Sequence, residues 1–180
     1  MGSSFREFFV VIAESAATLI GLLFVAVTVV RGRNVDQSKG IGEFRAAASL
    51  LAFTNALVVS LYGLVPGNDI GYPAFIMGVI GILFAAAGVR ATLREPVRRQ
   101  RRLHQVLLIL ALLAVFGFQI FYGLQLIHNA TARNPLEIIG DVLIASLLIG
   151  IGRAWELVGA WDAGMFASLR YLIGRNGPPS

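Results

Sequence analysis

The residues best suited to chemistry lie in the first apolar block of the chain, where polar and small side chains recur at helical spacing. In an α-helix, steps of four, three, four and three residues keep side chains on one face. The residues at these steps are Glu14, Thr18, Gly21, Val25 and Thr28. A carboxylate, two hydroxyls and an exposed glycine backbone on one face predict a helix that lines a narrow aqueous path for ions. The alternative is a structural role, in which Glu14 is protonated or hydrogen-bonded to a neighbouring helix.

Three more polar residues are predicted near the depth of Glu14. Glu14 lies about 9 Å inside its predicted helix, at about 1.5 Å per residue, where an ionisable group needs water or a partner. Asp141 lies one turn inside the last block, and Gln125 and His128 end the fourth block on the same side. Because hard cations prefer oxygen ligands, we expect this set to form the outer mouth of the path. The simpler alternative is that Asp141 only stabilises the positive end of its helix.

Polar residues also occur deeper in the other blocks. Arg153 and Glu156 are three residues apart near the inner end of the fifth block, so they can pair along one helix face. They form either a local ion pair or an inner gate. Asn55 and Gln119 are predicted near mid-membrane, where amides usually make hydrogen bonds between helices; the alternative is that either lines a path.

The composition shows what kind of protein must position these residues. Of 180 residues, 57% are hydrophobic and 14% are charged, whereas a soluble domain is about 45–50% apolar and about 25% charged. A membrane-spanning helix needs about 20 apolar residues. We therefore predict an all-α, polytopic transmembrane helical bundle that forms a single domain over residues 1–180. Five spans are expected, or four if the charges in the last block prevent insertion. The spans cover about 8–30, 46–64, 72–89, 103–127 and 136–158.

The basic residues predict the orientation of this bundle. They concentrate between the first and second blocks and between the third and fourth, and basic loops stay cytoplasmic. With five spans, the N-terminus is then outside and the C-terminus cytoplasmic. The second basic loop is expected to contact anionic lipid headgroups; its residues are Arg94, Arg98, Arg99, Arg101 and Arg102. Apolar residues at helical spacing over 158–174 predict an amphipathic segment on the inner surface.

Several classes of function are not expected. The chain has no cysteine, which excludes thiolate catalysis, zinc–cysteine sites and iron–sulfur clusters. The two histidines, His104 and His128, are predicted on opposite sides of the membrane, so they cannot share a site. The arginine-rich loop lacks interleaved aromatic residues that would stack on bases, which argues against nucleic acid. We expect no enzyme, no cofactor and no metal site.

The segment from Phe8 to Val10 and from Ala17 to Val27 resembles the first helix of small, uncharacterised bacterial integral membrane proteins. The resemblance covers one helix. It implies the bacterial inner membrane and no particular activity, so it assigns no functional residue.

The leading functional prediction is an oligomeric, cation-conducting ion channel with helix one lining the path. A chain of this size has little room for both a bundle and a water-filled path, so a pore shared between copies, and hence a homo-oligomer, is the simplest solution. The alternative is a non-catalytic membrane scaffold or accessory subunit that binds lipid or a partner protein. A small secondary transporter is the third possibility.

Overall fold

The described part of the chain folds into five long helices. The structure is a computed structural model that describes residues 3–33, 39–66, 69–94, 99–129 and 133–158. The helices are α1 (Ser3–Arg33), α2 (Lys39–Leu64), α3 (Gly71–Arg94), α4 (Arg99–His128) and α5 (Arg133–Val158). Each contains a stretch long and apolar enough to cross a membrane. The prediction of an all-α protein with five such helices is confirmed, and this architecture indicates an integral membrane protein.

Three parts of the predicted architecture stay predictions. They are the side of the membrane on which each terminus lies, the extent of the single domain, and the amphipathic segment. All but the first residue of that segment lies outside the described residues, since α5 ends at Val158.

The helices extend beyond the apolar blocks that predicted them. The spanning stretches cover Phe5–Val29, Ala46–Leu64, Gly71–Arg90, Ile109–His128 and Asn134–Glu156. Helical hydrogen bonds do not require apolar side chains, so a helix continues into polar flanks. Glu14 lies nine residues after Phe5, the first residue of its apolar stretch, and Asp141 lies seven residues after Asn134, the first residue of its own.

Helix α2 packs against α1, α3 and α5. Helix α4 packs against α3 and α5, and α5 also contacts α1. We call the end where α1, α3 and α5 begin the proximal end, and the opposite end the distal end. At the proximal end Gly63 of α2 lies against Phe9 of α1, and Gly140 of α5 lies against Phe8. The main core is apolar and fully buried; it includes Phe9, Phe53, Leu126, Ile139 and Leu143.

Glycines let α3 and α4 approach each other at backbone distance. A Cβ built at Gly123 would lie 2.9 Å from the backbone nitrogen of Phe75, and one at Gly71 would lie 2.7 Å from the carbonyl oxygen of Gly123. A side chain can adopt another rotamer to make room for an added methyl group, but backbone atoms cannot. Small residues at such crossings are the usual way in which membrane helices pack closely.

This packing predicts that Gly123→Ala destabilises the fold. Overpacking typically costs about 1–3 kcal/mol, and here the added methyl meets backbone, so we expect a loss in that range in the free energy of unfolding. The matched control is Gly117→Ala, because a Cβ at this other glycine of α4 would meet no atom within 4 Å. The measurement is reversible unfolding in detergent; equal stability of the two variants would contradict the close approach.

Candidate functional site

The polar face of helix one lies on the outside of the bundle. We call the set Glu14, Thr18, Gly21, Val25 and Thr28 the α1 polar face, and all five of its residues are exposed. The opposite face of α1 is buried in the core through Phe9, Ile12, Ala16 and Leu23. The described residues of a single chain therefore leave the α1 polar face open to lipid, to water or to another molecule.

The two threonine hydroxyls of this face donate to their own helix. Thr18 Oγ1 lies 2.8 Å from the carbonyl oxygen of Glu14. Thr28 Oγ1 lies 2.7 Å from the carbonyl oxygen of Val25 and 3.0 Å from that of Phe24. A hydroxyl has one hydrogen and two lone pairs. With the hydrogens directed at the helix, the free lone pairs of these oxygens are what the face offers to a ligand, and oxygen acceptors suit cations.

Glu14 is the charged residue of this face. Its carboxylate makes no hydrogen bond or ion pair within the described part of the chain. It lines an open groove of about 580 Å³ between α1 and α5, together with Ser15, Thr18 and apolar residues of α5 such as Ile144 and Leu148. An ionised carboxylate facing hydrocarbon is costly. Glu14 therefore requires water, a proton or a cation as its partner.

The structure does not gather the predicted outer mouth into one cluster. Gln125 and His128 are exposed at the proximal end of α4 and line one groove of about 430 Å³, whereas Glu14 lines the groove between α1 and α5. His128 Nδ1 lies 2.8 Å from the carbonyl oxygen of Leu124, so Nδ1 carries a proton and donates. Asp141 is exposed on α5. Among the residues described, no group of three or more histidines and acids is placed to hold a metal ion.

Arg153 and Glu156 pair near the distal end of α5. Arg153 Nη1 lies 3.2 Å from Glu156 Oε2, so the predicted pairing along one helix face is present. Arg153 is 3% exposed, and its Nε has no hydrogen-bond partner. The guanidinium is thus buried in the bundle with the Glu156 carboxylate as its charge partner. A role as an inner gate stays a prediction.

Two buried amides join the helices at mid-membrane. Asn55 Nδ2 donates to Gln119 Oε1 at 2.9 Å, and Gln119 Nε2 donates to Asn55 Oδ1 at 2.7 Å. Asn55 Nδ2 also donates to Ser146 Oγ, and Gln119 Nε2 to the carbonyl oxygen of Ala74. The predicted interhelical hydrogen bonds are confirmed. Since Asn55, Gln119 and Ser146 are at most 2% exposed, these polar groups satisfy each other and do not line an aqueous path.

The arginines of the predicted lipid-contacting loop lie at the distal end. Arg94 ends α3, and Arg99, Arg101 and Arg102 lie in the first turn of α4. Arg98 lies outside the described residues. The two helices thus bring these positions to the same end of the bundle.

Comparisons with protein families, with curated proteins and with solved structures find no match to this chain. The described residues form five apolar helices of an integral membrane protein, and the Glu14 carboxylate is exposed on the outer surface of this bundle.

Proposed function

We propose that the chain forms a homo-oligomer in which copies of the α1 polar face surround a cation-conducting path. The observation that carries this proposal is the exposure of the face, with the Glu14 carboxylate at its end nearest the N-terminus. In a single copy the Glu14 carboxylate would face hydrocarbon. Several copies around an axis would enclose water instead, and the carboxylates would face it.

Helix α1 also has the smallest buried fraction of the five helices, so it has the most surface available for contact with another copy. In the most apolar stretch of α1, 22% of the residues are buried within the chain, against 33–44% in the other four spans. The small residues Ala17 and Gly21 are exposed on this helix, and small residues allow close approach of helices in membranes. A second copy can therefore pack beside α1 without displacing the existing core.

The chemistry of the face favours cations. Rings of carboxylates select cations in membrane pores, and the Thr18 and Thr28 hydroxyls offer lone pairs outward because their hydrogens are held by backbone carbonyls. Val25 is the one purely apolar side chain on the face. In this arrangement the Glu14 carboxylates concentrate cations near the outer mouth, and the hydroxyls solvate them further along.

The loops supply the orientation that we propose. Basic residues favour the cytoplasmic side, and the arginines of α3 and α4 lie at the distal end. The proximal end, with the N-terminus, is then external, and the C-terminus is cytoplasmic. The membrane that we propose is the bacterial inner membrane, on the resemblance of the first helix. We propose no catalytic role.

Cysteine labelling tests which side of α1 faces water, and the chain has no native cysteine. We expect the Thr18→Cys variant to react with a membrane-impermeant, water-soluble thiol reagent added to the external side, and the reaction to block conductance. Leu22 is 60% exposed and lies about 80° around the helix axis from Glu14, beyond the edge of the polar face. The Leu22→Cys variant should stay unreactive because its exposure is to lipid.

The opposite labelling pattern, with an inert Thr18→Cys variant and a reactive Leu22→Cys variant, would show that α1 does not line the path. Absence of conductance in the purified, reconstituted protein would contradict the channel proposal as a whole.

The clustered arginines favour a second candidate function, that of a membrane scaffold or accessory subunit. The observation is their placement by two neighbouring helices at one end of the bundle. At the surface of an anionic membrane each basic residue contributes about 1 kcal/mol. Such a protein would use this end to bind lipid headgroups or a partner protein, and would not conduct.

Removal of this charge tests the scaffold candidate. Replacing Arg98, Arg99, Arg101 and Arg102 by Gln should weaken retention of anionic lipid by roughly 4 kcal/mol at most, before screening by salt. Arg6→Gln, at an exposed arginine near the proximal end, is the control. The measurement is the anionic lipid that co-purifies with each variant; unchanged lipid would argue against the scaffold.

A further inference from the structure

Two grooves lie one after the other between α1 and α5 on the outside of the bundle. The proximal groove, of about 580 Å³, contains Glu14 and Thr18. The distal groove, of about 260 Å³, lies towards Trp155. Because Leu19 and Ile151 line both, the two are adjacent, and we call them together the α1–α5 groove, with a proximal and a distal part.

The two parts of the α1–α5 groove differ in chemistry. The proximal part offers the carboxylate of Glu14 and the hydroxyls of Ser15 and Thr18 among aliphatic side chains. The distal part offers aliphatic and aromatic side chains; those that it does not share with the proximal part are Leu22, Leu23, Ala26, Phe53, Ala154 and Trp155. The groove is therefore amphipathic along its length, with a single acid near one end.

We propose that the α1–α5 groove binds a lipophilic cation, meaning an ammonium or phosphonium group that carries a long alkyl or aryl body. The cationic head pairs with the Glu14 carboxylate, which has no other partner among the described residues. The body lies along the distal part towards Trp155.

Charge complementarity selects this occupant over the others that a membrane offers. An acyl chain of neutral lipid gains little in the groove because surrounding lipid is equally apolar. An anionic amphiphile would meet an unpaired carboxylate. A small hydrated cation would use Glu14 and leave the distal part to lipid. A lipophilic cation gives the Glu14 carboxylate a partner of opposite charge and covers the apolar distal part.

The length of the groove indicates how long the alkyl chain of the ligand is. From Glu14 to Ala26 is twelve residues, or about 18 Å along the helix. An alkyl chain of a dozen carbons or so spans most of this distance. The inference goes beyond the proposed pore, because the groove is formed by α1 and α5 of one chain and needs no second copy.

The test is equilibrium binding of labelled dodecyltrimethylammonium to the full chain in phosphatidylcholine nanodiscs. We expect saturable binding, with at least a ten-fold loss of affinity in Glu14→Gln. The control is Glu137→Gln, the same substitution at an exposed acid of α5 that is not among the groove-lining residues. It should bind as the wild type does. Dodecanol, which has the same tail and no charge, should show no saturable binding.

A second variant tests the distal part separately. Ala26→Phe places a ring in the distal part of the groove and should weaken binding of dodecyltrimethylammonium several-fold while leaving Glu14 in place. Equal affinity of the wild type and Glu14→Gln, absence of saturable binding, or an unchanged affinity in Ala26→Phe would each overturn the proposal. Saturable, Glu14-dependent binding by a protein that does not conduct would leave this proposal standing and refute the pore.

Discussion

Replacing Glu14 by glutamine is expected to lower the cation-over-anion permeability ratio of the reconstituted protein by roughly ten-fold or more. In the proposed assembly, several copies place this carboxylate around one axis, inside a wall of low dielectric. Clefts of this kind raise the local concentration of oppositely charged ions by roughly ten-fold to a thousand-fold. Glutamine keeps the shape and some hydrogen-bonding capacity of the side chain but removes that field.

The measurement is the reversal potential across a planar bilayer under a salt gradient. Glu137→Gln serves as the control, since Glu137 is an exposed acid near the proximal end of α5 and lies off the α1 polar face. It should leave the reversal potential almost unchanged. A channel that conducts with the same selectivity after Glu14→Gln would show that the ions follow a path other than the α1 polar face.

Helical spacing predicted which residues of α1 share a face but not the direction of that face. Glu14, Thr18 and Thr28 lie on one side at any rotation of the helix, because the spacing alone places them there. Whether that side points into the bundle depends on the packing of Phe9 and Leu23 against the other helices. The sequence of α1 does not encode that packing by itself, so only the structure shows that the polar face is exposed.

The amide pair illustrates a second limit. The presence of Asn55 and Gln119 in apolar blocks predicted interhelical hydrogen bonds, since an unpaired amide in hydrocarbon is unfavourable. Their further partners, Ser146 and the backbone carbonyl of Ala74, depend on the rotation and height of α3 and α5. Ser146 carried a weak signal as a serine in mid-span. A backbone carbonyl gives no signal in the sequence, because every residue has a backbone carbonyl.

The grouping of polar residues at the proximal end was limited in the same way. Glu14, Gln125, His128 and Asp141 were assigned to one mouth because they share a predicted depth. A shared depth gives only the position of a residue along the axis of the bundle. The structure also shows its position across the bundle: α1 and α4 lie at different places around it, so Glu14 and His128 line different grooves. A mouth that unites them would have to be formed between neighbouring copies.

The largest expected effect on stability is that of Glu156→Gln. Arg153 is 3% exposed, and Glu156 is its charge partner, with Nη1 and Oε2 3.2 Å apart. Removing the partner of a buried charge costs up to about 3–5 kcal/mol, because that charge is left uncompensated; the Glu156 side chain itself is 15% exposed. The Nε of Arg153 already lacks a hydrogen-bond partner. We expect a loss of that size in the free energy of unfolding, measured by reversible unfolding in detergent.

A second substitution shows whether the loss arises from Arg153. Methionine is apolar, unbranched and able to fill irregular gaps, so Arg153→Met combined with Glu156→Gln should recover most of the stability that Glu156→Gln alone removes. The double variant removes both charges of the pair and so leaves no uncompensated charge, whose presence is what makes the loss of one partner costly. Glu137→Gln, the same substitution at an exposed site of the same helix, should change stability by less than about 0.5 kcal/mol. If the double variant is as unstable as Glu156→Gln alone, then Glu156 stabilises the fold through contacts other than Arg153, and the buried guanidinium is compensated by another group.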